Sequence, residues 1–104
     1  MDTNTNTTAD EVVASLQANA AELRASGIRH LSLFGSVARG EAGPDSDIDL
    51  AIEIDRDAGL DLFGLVALER RLSEMLGRKV DLTPEPVEKQ RLQANIDRDR
   101  RRAF

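Results

Sequence analysis

Apolar residues recur along this chain at two different intervals, and the interval changes at glycines. Val12, Val13, Leu16, Ala20 and Leu23 repeat at helical spacing behind Thr8 and Glu11, a capping-box pair, which predicts a first helix from about Ala9 to Ser26. Gly27 suits a left-handed stop, and Ile28 to Phe34, with Leu31 and Leu33 among its apolar positions, alternates as a strand does. Gly35 to Gly40 has room for one helical turn, and Glu41 to Ser46, containing Gly43 and Pro44, is loop. Ile48, Leu50, Ile52 and Ile54 mark a second strand. After the polar stretch from Asp55 to Gly59, Leu62, Leu65, Val66, Leu68, Leu72, Met75 and Leu76 share one helix face that ends at Gly77. Lys79 to Leu82 is a short third strand closed by Pro84 and Pro86. Val87, Leu92 and Ile96 then predict a last amphipathic helix whose far end frays into charge.

The order αβ(turn)βαβα predicts an α+β fold, a small mixed three-stranded sheet covered by helices. With 104 residues, no internal repeat and no linker, residues 1–104 are expected to form a single domain of radius about 13 Å. Residues 1–8, polar and rich in Thr and Asn, are expected to be a disordered leader, and residues 97–104 a frayed basic tail.

Composition narrows the chemistry. Aromatic residues are 3% of the chain, with no Trp or Tyr, so aliphatic packing must form the core. The absence of Cys excludes disulfides and thiolate metal sites, leaving oxygen ligands or the lone His30 for any metal. A net charge of −5 argues against binding long nucleic acid directly. No apolar run is long enough to span a bilayer and no signal segment precedes the first helix, so no membrane partner and a cytoplasmic location are expected. Arg91, Arg98, Arg100, Arg101 and Arg102 crowd the end of the chain and read as a solvated helix end rather than a docking surface.

The segment Leu33 to Leu50, LFGSVARGEAGPDSDIDL, carries the chemistry. Gly35 lets backbone approach an anion closely, Ser36 offers a hydroxyl, and exposed N–H groups at a helix start attract phosphate, which together suit a triphosphate cradle. Asp47 and Asp49, two apart on a strand, project from one face about 6.6 Å apart along the backbone. Such hard oxygen ligands suit Mg²⁺, and two ions about 3.5–4 Å apart clamp the attacking and leaving oxygens of an in-line displacement. Asp81, framed by Val80 and Leu82 on the next strand, is the candidate third carboxylate, since a charge in a core strand needs a counter-ion. It is also a candidate to take the proton of an acceptor hydroxyl.

Gly35-Ser36, ten intervening residues and then Asp47-Ile48-Asp49 resemble the signature of the polymerase-beta-like nucleotidyltransferase superfamily. With Ala38-Arg39-Gly40 inside that segment and a short chain around it, the sequence looks like the minimal nucleotidyltransferases encoded beside HEPN-type partners in toxin and antitoxin pairs. The resemblance is strong from Ile28 to Leu82 and looser through Ile96, and no motif position departs from it. It implies that Gly35 and Ser36 hold the nucleotide phosphates, that Asp47 and Asp49 bind two Mg²⁺ ions, and that Asp81 completes the metal site and assists the acceptor. It further implies transfer of AMP from ATP to a hydroxyl, typically a tyrosine of a cognate HEPN toxin that is thereby silenced, and hence a hetero-oligomer. Length points the same way, because a catalytic core without an acceptor domain must take its acceptor from a second chain.

Simpler roles compete at individual positions. Asp45 is ordinary turn chemistry. Arg39 either clamps a phosphate or pairs with Glu41 or a nearby Asp. His30 reads as a strand-edge residue with a satisfied hydrogen bond rather than a ligand or base. The stripe from Leu62 to Leu76 reads as core, with Phe63 and Phe104 the possible exceptions. Two other functions are compatible with the sequence: an antitoxin that neutralises its partner by complex formation without catalysis, and nucleotidyl transfer to a small molecule or an RNA end.

Overall fold

Thr8 begins the part of the chain that the computed structural model describes, residues 8–104. The leader expected at residues 1–8 therefore lies outside the described residues except for Thr8. The Thr8 hydroxyl accepts from the Glu11 backbone at 3.2 Å, and Glu11 Oε1 accepts from the Thr8 backbone at 2.9 Å, the reciprocal box expected from their spacing. The helix so started does not run unbroken to Ser26. Helix α1 spans Ala9–Ala18, Asn19 leaves helical geometry at φ −107° and ψ 14°, and α2 resumes over Ala20–Ala25. The Asn19 side-chain amide donates to the Ser15 carbonyl at 2.8 Å, the local side-chain to backbone bond with which asparagine competes against a helix ladder.

Strand β1 follows at Ile28–Phe34, then a single turn α3 at Gly35–Ala38 and strand β2 at Ile48–Ile54. A 3-10 turn at Arg56–Ala58 leads to α4, Leu62–Leu76, capped at its start by Asp61, whose carboxylate accepts from Gly64 N at 2.8 Å. Strand β3, Val80–Pro84, runs two residues beyond Leu82; α5 covers Gln90–Asp99 and a fourth strand, β4, Arg101–Arg102. The order across the sheet is β3-β2-β1-β4. β1 pairs antiparallel with β2 and β4, while β2 and β3 are parallel and joined through α4, giving the mixed sheet expected.

The fourth strand corrects the three-strand reading, and it is built from the tail expected to fray. Ala103 N donates to Leu31 O at 2.9 Å, and Leu31 N donates to Phe104 O at 3.1 Å, so the tail backbone completes the free edge of β1. Ala103 is buried, Phe104 packs on the core, and the Arg24 guanidinium lies 4.9 Å over the Phe104 ring. Arg101 reaches Asp10 at 2.5 Å. Two charged residues show no alternation, so nothing in the sequence marks them as a strand.

Period-two alternation divides the sheet into unlike faces. Leu31, Leu33, Ile48, Leu50, Ile52 and Val80 pack with Val12, Leu16 and Leu23 of α1 and α2 and with Leu68 and Leu72 of α4. Phe34 and Ala51 instead meet Ile96 of α5, with Val87 and Leu92 beside it. Not all of the α4 stripe is core. Leu62, Phe63 and Val66 are 71%, 83% and 58% exposed, which leaves the first turn of α4 as apolar surface.

Candidate active site

β1 ends on Phe34, the register partner of Asp49 on β2, and the chain turns there through Gly35 at φ +80°. A Cβ at Gly35 would stand 2.3 Å from Asp49 Oδ2 and 3.1 Å from its Cγ. Both the left-handed backbone and the space taken by the carboxylate therefore demand glycine. Buried Val37 anchors the turn, and Arg39 N donates to Gly35 O at 3.1 Å and Glu41 N to Ser36 O at 2.9 Å. Ser36 is thus held on a one-turn helix that leaves the strand directly beside Asp49.

The loop that delivers Asp47 is closed on itself and clamped from outside. Gly43 N donates to Ser46 Oγ at 3.0 Å, and Ser46 N donates back to Gly43 O at 3.2 Å. Arg78, in the junction between α4 and β3, donates to Gly43 O at 2.9 Å and to Ser46 O. Ile48 N donates to Lys79 O at 2.9 Å, which starts the β2 and β3 pairing. Arg78 was not singled out from the sequence, because an arginine after a helix-ending glycine carries no pattern of its own.

The parallel register makes Asp81 the direct partner of Asp49, and Asp47, just before β2, lies close enough for its charge to act on Asp49. All three sequence-predicted carboxylates therefore share the end of the sheet where Gly35 and Ser36 lie. Burial chiefly, then the charges of Asp81 and Asp47, hold the half-buried Asp49 carboxyl above the usual carboxylate range, with Arg39 pulling weakly the other way. Asp47 is 3.8 Å from Lys79 Nζ, a solvent-screened contact.

Asp47, Asp49 and Asp81 are oxygen donors of the kind a hard divalent cation takes, and Asp49 is short of counter-charge. Among the described residues no group of three His, Asp or Glu side chains already forms a ready cage. Magnesium does not require one, because it retains waters and is shared between one or two carboxylates and substrate phosphates.

Arg39 is engaged within the protein, the second of its two anticipated roles. Its guanidinium donates to Glu41 Oε1 at 2.9 Å and to Asp99 Oδ2 at 2.7 Å. Asp99, from the end of α5, ties the tail to the Gly-Ser turn, and sixty residues of separation hide that contact from any reading of local spacing. His30 lies away from the carboxylates. Its ring nitrogens contact the Arg102 guanidinium and one stands 3.9 Å from Glu53, so it is paired as expected, although β4 makes β1 an interior strand rather than an edge.

A glycine turn leaves one strand beside carboxylates carried by the next two strands, and the family to which the chain belongs agrees with that layout. The chain belongs to the nucleotidyltransferase domain family, whose model matches residues 19–104. Among individual proteins, it is 40% identical over 76 residues to the protein adenylyltransferase MntA of Thermococcus cleftensis, covering 72% of this chain and 75% of that one. It is also similar to a solved structure described as a minimal nucleotidyltransferase, with TM-score 0.76, 30% identity, and coverage of 94% of this chain and 98% of the other. At 20% identity and TM-score 0.63, the same fold occurs in the solved complex of a tri-AMPylated Shewanella oneidensis HEPN toxin with MNT antitoxin, covering 88% of this chain and 71% of that one. The fold is therefore the minimal nucleotidyltransferase fold that the motif implied.

Proposed function

We propose that this nucleotidyltransferase is a Mg²⁺-dependent protein adenylyltransferase that moves AMP from ATP to a tyrosine hydroxyl of a HEPN-type toxin, and so acts in the cytoplasm as its antitoxin. The observation that carries the reading is the contact at Gly35: the glycine turn leaves space that the Asp49 carboxylate fills, with Asp81 in register beside it. The 40% identical relative named a protein adenylyltransferase supports a protein acceptor and the adenine nucleotide.

In this reading Gly35 and Ser36 cradle the β- and γ-phosphates through backbone N–H groups and the Ser36 hydroxyl. Asp47, Asp49 and Asp81 would hold the metal, which when bound would neutralise the triphosphate charge. Asp81 accepts the proton of the acceptor hydroxyl. The new bond joins the acceptor oxygen to the α-phosphorus, the bond from that phosphorus to the bridging oxygen breaks, and pyrophosphate leaves. Arg39, held by Glu41 and Asp99, keeps positive charge near Asp49 and the phosphates.

The test is incubation of the chain and the candidate toxin with each nucleoside triphosphate and Mg²⁺, followed by intact mass of both proteins. One or more added AMP units on the toxin, absent with the Asp47→Asn/Asp49→Asn variant, is the expected result. One observation favours a second reading, a stoichiometric antitoxin: exposed Leu62, Phe63 and Val66 offer an apolar surface for a partner. No added mass, together with a tight complex that still silences the toxin, would sink the adenylyltransferase and leave that reading.

A further inference from the structure

Beyond Ile96, on the sheet face that carries Asp49, the surface opens into a cleft of about 650 Å³. Glu53 lines it four residues along β2 from Asp49, so the cleft and the carboxylates share a face with α5 between them. Its opposite wall depends on an irregularity in β1. Ile28 pairs with Ile54 and His30 with Glu53, so two steps on β1 match one on β2, and Arg29 is the extra residue of a bulge. Bulges re-aim side chains, and this one brings both Arg29 and His30 to the cleft wall, where strict alternation would send one of them to the other face.

The charges around this cleft do not balance. Four arginines line it, Arg29, Arg56, Arg100 and Arg102. Arg100 is committed: it grips Glu85 at 2.9 and 2.6 Å, reaches Asp97 at 3.1 Å and donates to the buried Ser32 hydroxyl at 3.0 Å. Arg102 is engaged as well, donating to the His30 ring and to the main-chain oxygen of Phe104, the last residue. Arg29 and Arg56 lie within 4.0 Å of no carboxylate among the described residues. Glu53 is the remaining acidic wall residue, and its contact is His30 at 3.9 Å.

Two guanidiniums without a carboxylate partner among the described residues, Arg29 and Arg56, thus share one concavity of a chain whose net charge is −5. Walls of low dielectric focus the field of such a group, and guanidinium forks match the oxygens of phosphate two at a time. The volume falls within the range of about 300–1,000 Å³ typical of small-ligand sites.

We propose that this cleft is a second ligand site, separate from the carboxylate site, that takes a diphosphate anion on Arg29 and Arg56. The diphosphate is either free pyrophosphate or the diphosphate of a nucleotide, for which Ile54 and Pro86 supply apolar wall. The site does not depend on the transfer reaction or on its acceptor, and its test needs neither.

The test is titration of the full chain, without divalent metal and at physiological ionic strength, with sodium pyrophosphate and with ADP, read by NMR at backbone amides and arginine Nε groups. Saturable shifts are expected at Arg29, His30, Glu53 and Arg56. Affinity should weaken at least tenfold in Arg29→Ala/Arg56→Ala, recover in part in Arg29→Lys/Arg56→Lys, and stay unchanged in Asp47→Asn/Asp49→Asn. Tighter binding of ADP than of pyrophosphate assigns the site to a nucleotide; equal or weaker binding assigns it to free pyrophosphate. Shifts confined to Gly35, Ser36 and Asp49, shifts reproduced by sodium chloride, or undiminished binding by Arg29→Ala/Arg56→Ala would each overturn the proposal. Should that variant fail to fold, the shift map of the unaltered protein still decides.

Discussion

On one face of the sheet, Leu33, Leu50 and Ile52 are sealed beneath α1, α2 and α4, whereas the other face carries α5 alone, resting on Phe34 and Ala51, and is ionic at both ends. The same strands serve both. Leu50 faces the sealed side while Asp49, one residue earlier, is only half-buried on the other, so alternation lets one seven-residue strand hold the core and present a carboxylate. The sealed face keeps the molecule folded, and the thinly covered face can crowd like charges because solvent and ligands reach it.

Substitutions should separate the two faces. Asp49→Asn should cost transfer activity about 10³-fold or more, as expected on losing several kcal/mol of metal-assisted stabilisation. Its melting temperature should hold or rise, because burial and the neighbouring carboxylates already disfavour the ionised side chain. A marked fall in melting temperature would show that the carboxylate also holds the fold. Leu72→Ala should do the reverse, losing about 2–5 kcal/mol in urea unfolding while kcat measured well below the melting transition changes little.

Gly35→Ala is the substitution that should affect both properties. Its Cβ has nowhere to go but into the Asp49 carboxylate, and its φ of +80° strains any L side chain. A loss of about 1–3 kcal/mol is expected from the backbone alone, with activity falling about 10²-fold as Asp49 is displaced. Near-normal turnover of this variant would mean that the close approach of turn and carboxylate is not used in catalysis.

The smallest effect should come from the far end of the exposed face. Arg100 chiefly holds the Glu85 carboxyl below its usual range, with Gln93 adding to the effect. A lowered carboxylate pKa stabilises the fold above the unfolded value of about 4.3, and that stability is lost as pH falls through the folded value. Glu85→Gln should therefore cost about 1–3 kcal/mol at pH 7 and flatten the decline in melting temperature seen in the unaltered protein as pH drops from 5 to 3. Equal declines in both proteins would remove Glu85 from the acid response.

Much of the site was legible in the sequence for a local reason. Gly35-Ser36 and Asp47-x-Asp49 lie within one short segment, and the two-residue period of a strand by itself puts both carboxylates on one face. Asp81 was legible because an acid framed by Val80 and Leu82 contradicts a core strand unless it serves a charge. Arg78 and Asp99 were not, since each acts on residues 32 or more positions away through contacts that only folding creates. The break at Asn19 was hidden because the apolar spacing continues across it.

The sequence alone determined most of the elements, the α+β class, the aliphatic core and the family, because periodicity and motif spacing are properties of neighbouring residues. Tertiary structure decided the rest. It turned a charged tail into β4, because β1 had an unpaired edge that backbone groups fill whatever their side chains. It set Asp49 against Asp81, because strand register depends on how α4 packs across the sheet. It also drew arginines from β1, the turn after β2 and the chain end into one cleft, because charges far apart in sequence become neighbours only when the strands and helices that carry them dock.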